Sequence, residues 1–266
     1  MTAKVGGHRA LEIASWNING LNRRLPLLLD WLAAAKPDIV ALQETKSTDA
    51  AFPRQALEAA GYGALFAGEK TWNGIALLAR DADPVPVRRA LPGDAADLQC
   101  RYLEAAIHGV LVASIYLPNG NPQPGPKFAY KMAWFARLIE HAKSLWDSGL
   151  PVALIGDFNV VPTDADLYRT TSYRDNALLH PEARDAYARL LAQGWTDAIR
   201  ICHPGEAIYT FWDTRRNRWP RDAGLRIDHL LLSAGLASRL ADAGVDREMR
   251  GAEGASDHAP VRVRLR

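Results

Sequence analysis

Short apolar runs of strand length recur along this chain with helix or turn signals between them, and that alternation restricts it to an α/β or layered α+β architecture. Residues 11–16 read as a strand. Leu25, Leu28, Leu29 and Leu32 follow at helical spacing, and the pattern stops at Lys36-Pro37, because the residue before a proline is pushed out of the helical region. Further strands are read over 38–42, 74–79, 110–117, 152–156, 227–233 and 261–265. Helices are expected over 50–60, closed by Gly61, and over 182–193, ended by Gly194. The longest, 128–146, carries one apolar stripe of Phe128, Met132, Phe135, Ile139, Ala142 and Trp146. The stretch 118–126 holds four prolines. Strand-like segments flank it closely, so it reads as a loop within one domain. The expectation is a single domain over 1–266, with 1–10 a flexible N-terminus.

Composition narrows the class. Of 266 residues, 48% are hydrophobic and 23% charged, ordinary values for a globular chain and far from those of disorder. Lys plus Arg is 32 and Asp plus Glu is 30, so a nucleic-acid partner would require charge segregated by face. Two cysteines, Cys100 and Cys202, exclude a disulfide-dense scaffold and a cysteine-rich zinc site, and both are expected as free thiols. No apolar run approaches the ~18–20 residues of a membrane span. The first ten residues lack the apolar stretch of a secretory signal, so a cytoplasmic protein is expected.

The chemistry lies where polar residues interrupt strand ends. Asn17 and Asn19 follow the first strand in Ser15-Trp16-Asn17-Ile18-Asn19-Gly20, and Glu44 follows the second in Leu42-Gln43-Glu44-Thr45-Lys46. Tyr116 and Asn119 follow a third, Asp157 and Asn159 a fourth. Asp228 lies in Arg226-Ile227-Asp228-His229, and Asp257-His258 precedes the last strand. Taken singly, each reads as a turn residue, a cap or a solvated charge. Together, six strand termini carry acid, amide, Tyr or His groups. Oxygen donors of this kind suit Mg²⁺, with Mn²⁺ as a substitute, acting on a phosphate. The histidines lack zinc spacing, and neither G-x-x-x-x-G-K-[ST] nor G-x-S-x-G occurs.

Trp72-Asn73-Gly74, Tyr209-Thr210-Phe211-Trp212-Asp213 and Gly224-Leu225-Arg226-Ile227-Asp228-His229 complete a set that closely resembles the exonuclease III family of abasic-site endonucleases. That family belongs to the endonuclease/exonuclease/phosphatase superfamily, and the match runs from about Leu11 to the C-terminus. The resemblance implies a four-layer α/β sandwich of the DNase I type, two packed mixed sheets flanked by helices, with the active site at one end of the sheets. It implies a Mg²⁺-dependent DNA-repair phosphodiesterase that cuts 5′ to abasic sites and removes nucleotides or blocking groups from DNA 3′ ends. Water attacks in line, leaving a 3′-hydroxyl and a 5′-phosphate. The implied metal ligands are Glu44, Asn17 and Asp257, with Asp157 and Asn159 handling the attacking water and the phosphate. His258, held by Asp228, touches the phosphate, and Tyr116 and Asn119 support it. The sequence leaves open whether Asp157 or the Asp228–His258 pair is the general base, and how many ions bind.

For DNA, the resemblance implies contacts from Trp72, Asn73 and Lys127. It also points to the basic loop 214–226, which holds five arginines and one acid, interleaved with tryptophan. Arg215, Arg216, Arg218 and Arg221 are the expected phosphate contacts. Phe211, Trp212, Leu225 and Ile227 map onto an apolar pocket for the extruded baseless sugar, and Leu at 225, aromatic in some relatives, bears on the balance between incision and trimming. His8, His108, His141, His180 and His203 are expected at the surface or in packing, and Asp164 and Asp166 as turn or capping groups. The partner is double-stranded DNA with abasic sites or 3′ ends, bound by a monomer associated with the nucleoid. The alternative reading is a non-specific DNase or phosphomonoesterase of the same superfamily.

Overall fold

The computed structural model describes residues 9–170, 173 and 175–266. Most of the segment read as a flexible N-terminus, with His8, lies outside the described residues. The chain opens with β1 (Leu11–Asn17), α1 (Leu21–Ala35) and β2 (Ile39–Gln43), then α2 (Arg54–Ala59), β3 (Tyr62–Ala67) and β4 (Ile75–Arg80). The second half runs β5 (Val85–Arg88), β6 (Tyr102–Ile107), β7 (Val110–Tyr116), α3 (Pro126–Asp147), β8 (Val152–Asp157), α4 (Pro181–Leu191), β9 (Thr196–Asp197), α5 (Ala198–Cys202) and β10 (Asp228–Leu232). It closes with α6 (Ala234–Ala237), β11 (Leu240–Val245) and β12 (Val261–Leu265).

Two six-stranded mixed sheets result, ordered β11-β12-β1-β2-β4-β3 and β5-β6-β7-β8-β10-β9. Each contains one parallel pair, β1 with β2 and β7 with β8, joined by a helix crossover. Strand alternation sends alternate side chains to opposite faces. Leu11, Ile13, Ile39 and Ala41 meet Val110, Val112, Ala153, Ile155 and Leu230 in the core between the sheets. The other faces pack outward, Ala14, Trp16, Val40 and Leu42 under α1 and α2, and Ala113, Ile115 and Leu154 under α3 and α4. This is the four-layer α/β sandwich that the family resemblance implies.

Three local readings change. The helix expected over 50–60 is broken, with a short 3₁₀ turn at Asp49–Ala51 and α2 starting only at Arg54, because Pro53 cannot continue the first turn. Strands β3, β5, β6, β9 and β11 escape a search for apolar runs, β5 because all four of its residues are exposed. On α3 the buried face is Phe128, Lys131, Trp134, Phe135, Leu138, His141, Ala142 and Leu145, while Met132, Ile139 and Trp146 are only half-buried. Two polar residues, Lys131 and His141, therefore sit on the inner side. His141 meets the carboxylate of Glu104, which also accepts from Tyr102 OH at 2.6 Å.

A buried ionic hub ties the loops of the second sheet together. Arg226 is 1% exposed and donates to Asp166 and Asp197, both at 2.7 Å. Asp166 closes a capping box with Thr163 and also pairs with Arg200. Asp166 thus caps, as read from sequence, but chiefly as an ion-pair partner. Burial acts to raise its carboxyl pKa, but the Arg226 contacts outweigh this and hold it down at about 2. A depressed carboxyl stabilises the fold above its unfolded pKa, and that contribution is lost as pH falls through the folded value. Asp166→Asn is expected to cost about 2–3 kcal/mol in urea unfolding near neutral pH. The gap to wild type should narrow as pH falls from about 4 towards 2, and a pH-independent gap would contradict the ion-pair account.

Candidate active site

The sheet register assembles the site. Asn17 ends β1 opposite Gln43 of β2, so Glu44 lies one step beyond. In the other sheet Tyr116, Asp157 and Asp228 are direct partners across β7, β8 and β10. These residues continue the inter-sheet faces whose other ends form the apolar core. Between core and site lies a polar floor the sequence did not reveal. Gln43 Nε2 donates to Ser15 Oγ at 3.1 Å and to Ser114 Oγ at 3.3 Å, spanning the two sheets.

Asn17 joins the halves. Its Nδ2 donates to Glu44 Oε1 at 2.9 Å and to Asp157 Oδ2 at 2.9 Å. Tyr116 OH donates to Glu44 Oε1 at 2.8 Å, and Lys46 Nζ lies 2.9 Å from Glu44 Oε2. Asp157 is 1% exposed and accepts from the Asn159 backbone at 2.8 Å and from Asn159 Nδ2 at 3.2 Å. Asn119 Nδ2 donates to Asn159 Oδ1 at 3.0 Å. Asp257 joins less directly. It accepts from Asn19 Nδ2 at 2.8 Å, and Asn19 Oδ1 accepts from Lys46. Asn19, Glu44, Lys46, Trp72 and Asn159 all hold left-handed backbone, a costly conformation for residues with a Cβ that clusters at functional sites.

His258 is buried, with Nδ1 2.9 Å from Asp228 Oδ2 and Nε2 3.8 Å from Asp157 Oδ2. Burial acts to strip its proton, but Asp228 outweighs this and raises the imidazole pKa well above its ordinary value. Burial also raises the Asp157 carboxyl; His258 opposes that shift and Asp228 adds to it. Tyr116, raised by burial and by Glu44, stays a phenol.

Asp157, Asp228 and His258 offer atoms within 4.8 Å of one another. With one imidazole nitrogen committed to Asp228, the Asp228–His258 pair is better suited to present a proton than to ligate a metal. The oxygen-only set of Glu44, Asn17, Asp157, Asn159 and Asp257 is the one that fits a hard cation. The Lys46 ammonium against Glu44 shows that this corner already accommodates positive charge.

Cationic groups line one groove beside this acidic centre and a second concavity. Lys127 and Arg101, with Trp72, Tyr116 and Tyr130, line a groove of about 340 Å³ beside it. Trp72 is 76% exposed, whereas Asn73 is buried and donates to Glu69 at 3.0 Å. Arg101, which the sequence did not single out, stacks 4.5 Å from the Tyr116 ring centroid. A second concavity of about 320 Å³ gathers Arg215, Arg216, Arg218, Tyr173 and Asn176. Arg215, Arg216 and Arg221 are exposed, while Arg218 is buried against the Tyr173 ring. Leu225 and Ile227 are buried in a cluster with Val161, Tyr173 and Leu178, with Phe211 packed on its edge. Trp212 is also buried, but it packs against Trp219 and donates to Asp222, away from that cluster.

Residues 14–258 match the endonuclease/exonuclease/phosphatase family. The chain belongs to this family. It is 34% identical to exodeoxyribonuclease III of Haemophilus influenzae over 263 residues, 94% of this chain and 98% of the relative. Its fold superposes on a 3′ phosphatase from Neisseria bound to product DNA hairpin, with TM-score 0.93, 38% identity, and 96% and 99% of the two chains covered. An AP endonuclease from Archaeoglobus fulgidus gives TM-score 0.91 at 34% identity, with the same coverage. The sandwich is therefore of the DNase I type, and this family member is a nuclease of the exonuclease III type.

Asp228 is expected to keep His258 charged. In NMR titrations of metal-free protein the imidazole should remain protonated at about pH 8. In Asp228→Asn it should release its proton near or below the ordinary value of about 6.5. A wild-type imidazole that is neutral at about pH 8 would contradict the pairing.

Proposed function

We propose that this protein is a Mg²⁺-dependent phosphodiesterase of DNA repair, acting on duplex DNA at 3′ ends and on the 5′ side of abasic sites. The observation that carries the reading is the Asn17 bridge between Glu44 and Asp157, with the Asp228–His258 pair beside it. Glu44, Asn17, Asp157, Asn159 and Asp257 would hold the ion, which supplies neutralisation of charge developing on the phosphate.

The chain's own residues do the rest. Asp157 accepts the proton of the attacking water, its carboxylate fixed by the backbone N–H and side-chain amide of Asn159. His258 is held through Nδ1 by Asp228, which orients the ring so that Nε2 is the nitrogen left to donate to the phosphate. Tyr116 OH and the Asn119 amide are neutral donors at the same place. Lys127, Arg101, Arg215, Arg216 and Arg221 contact DNA phosphates without reading bases, and Trp72 lies against the groove. The reading takes the chain as one catalytic domain, working as a monomer on nucleoid DNA in the cytoplasm.

A second reading, in which 3′-end processing dominates, is favoured by one observation. The apolar residues assigned to the baseless sugar are packed, with Leu225 fully buried and Ile227 2% exposed beneath Tyr173 and Leu178. The match to the Neisseria 3′ phosphatase supports it as well.

Three duplexes separate the readings: one with a 3′-phosphate, one with an internal tetrahydrofuran abasic analogue and one undamaged. Removal of the 3′-phosphate and a single cut at the analogue are expected, each more than about tenfold faster than attack on undamaged DNA and abolished by EDTA. An intact analogue with brisk 3′ processing would establish the second reading. Turnover in EDTA, or equal attack on all three, would overturn both.

A further inference from the structure

One buried cation has no part in the chemistry described so far. Lys131 lies on the inner face of α3, fully buried, one helical turn beyond the exposed Lys127. Its Nζ donates to three backbone carbonyls, Asn159 O at 2.6 Å, Asn119 O at 3.1 Å and Ala177 O at 3.4 Å. An ammonium has three N–H donors, and here each has one acceptor, a geometry that favours the charged form although burial pulls the lysine pKa down. A charge so deeply buried is costly unless its environment is arranged around it.

The three carbonyls come from three separate segments, the loop after β7, the turn after β8 and the segment before α4. Two of them belong to Asn119 and Asn159, whose side chains face the reaction centre and bond to each other at 3.0 Å. The third segment is linked on the outside by amides. Asn121 Nδ2 donates to Asn119 Oδ1 at 2.8 Å and to Asn176 Oδ1 at 2.9 Å, and the Ala177 N–H donates to Asn121 Oδ1 at 2.9 Å. The same segment carries Leu178 over the apolar cluster. Gly120 makes room for the lysine stem. It has φ +88°, and a Cβ there would lie 2.6 Å from Lys131 Cδ and 3.2 Å from Ala177 Cβ.

We propose that Lys131 is a positioning residue, whose ammonium clamps the backbones of Asn119, Asn159 and Ala177 and so fixes the two asparagine side chains against the reacting phosphate. It touches neither substrate nor ion. The inference rests on the site assigned above, because it concerns how Asn119 and Asn159 are aimed.

Three variants test it on 3′-phosphate duplex DNA in Mg²⁺. Lys131→Met keeps the stem and removes the donors. Its kcat should fall about 10²-fold, the loss expected of a displacement near 1 Å, with KM changed less than about threefold. Lys131→Arg restores charge and donors and should recover most of kcat. Lys131→Ala opens a cavity, and propylammonium should rescue its kcat where propanol does not. A readout without turnover accompanies these. Side-chain amide NMR signals of Asn119 and Asn159 should be sharp and dispersed in wild type and should broaden or collapse towards free-amide positions in Lys131→Met. If Lys131→Met does not fold, Lys131→Gln, which retains two donors on a shorter stem, carries the same kcat and amide comparison. Unchanged kcat and amide signals in the folded variant, or equal rescue by propanol and propylammonium, would overturn the proposal. A wild type inactive on DNA would sink the function assigned to the site. The amide signals would still decide the clamp.

Discussion

A carboxylate sealed between two sheets is the constraint on which the rest of this structure depends. Asp157 lies at the end of β8, where the inter-sheet face should continue as apolar core, and it is buried there with Asp228 beside it. Such a group is tolerated only if its surroundings are built to receive it. The Asn17 amide, the Asn159 backbone and side chain, and the His258 ring do so. The Ser15–Gln43–Ser114 floor grades the change from apolar to ionic along the strands.

The two sheets solve this problem in the same way. Read along β11-β12-β1-β2-β4-β3 and along β5-β6-β7-β8-β10-β9, the pairings follow one pattern, two antiparallel, one parallel, two antiparallel. Each parallel pair delivers two strand C-terminal ends side by side, Asn17 with Glu44 just beyond its partner in one sheet and Tyr116 with Asp157 in the other. Face-to-face packing then brings four functional ends into one mouth. Lys127 and Arg101 line the groove beside it, and under the proposed function such cations would offset the repulsion between this acidic centre and a phosphate backbone.

Much of this was legible in the sequence because strand ends are local features. Apolar runs marked β1, β2, β4, β7, β8, β10 and β12, and the polar groups that follow β1, β2, β7 and β8, open β10 and precede β12 named the cluster the register later assembled. What was not legible depends on three-dimensional neighbours. Lys131 is not singled out by any motif and Arg226 counts in sequence as one arginine of the basic loop, and only the packed helix and the Asp166 and Asp197 partners show that both are interior. Ser15, Gln43 and Ser114 carry no motif. Trp212 shares a sequence segment with Phe211, yet it packs against Trp219 whereas Phe211 joins the Leu225 cluster. The arginines of 214–226 were read as one basic patch, but Arg218 and Arg226 are buried, leaving Arg215, Arg216 and Arg221 outward.

The central claim is that Glu44 from one sheet and Asp157 from the other act as a single device through Asn17. A double-mutant cycle of Glu44→Gln and Asp157→Asn, measured by single-turnover cleavage of a 3′-phosphate duplex in saturating Mg²⁺, tests it most directly. Each single change should slow the reaction by about 10²-fold or more, and the double mutant should be little slower than the worse single, because residues that work as a unit are lost only once. Losses that multiply across the pair, or near-normal turnover in either single variant, would contradict it.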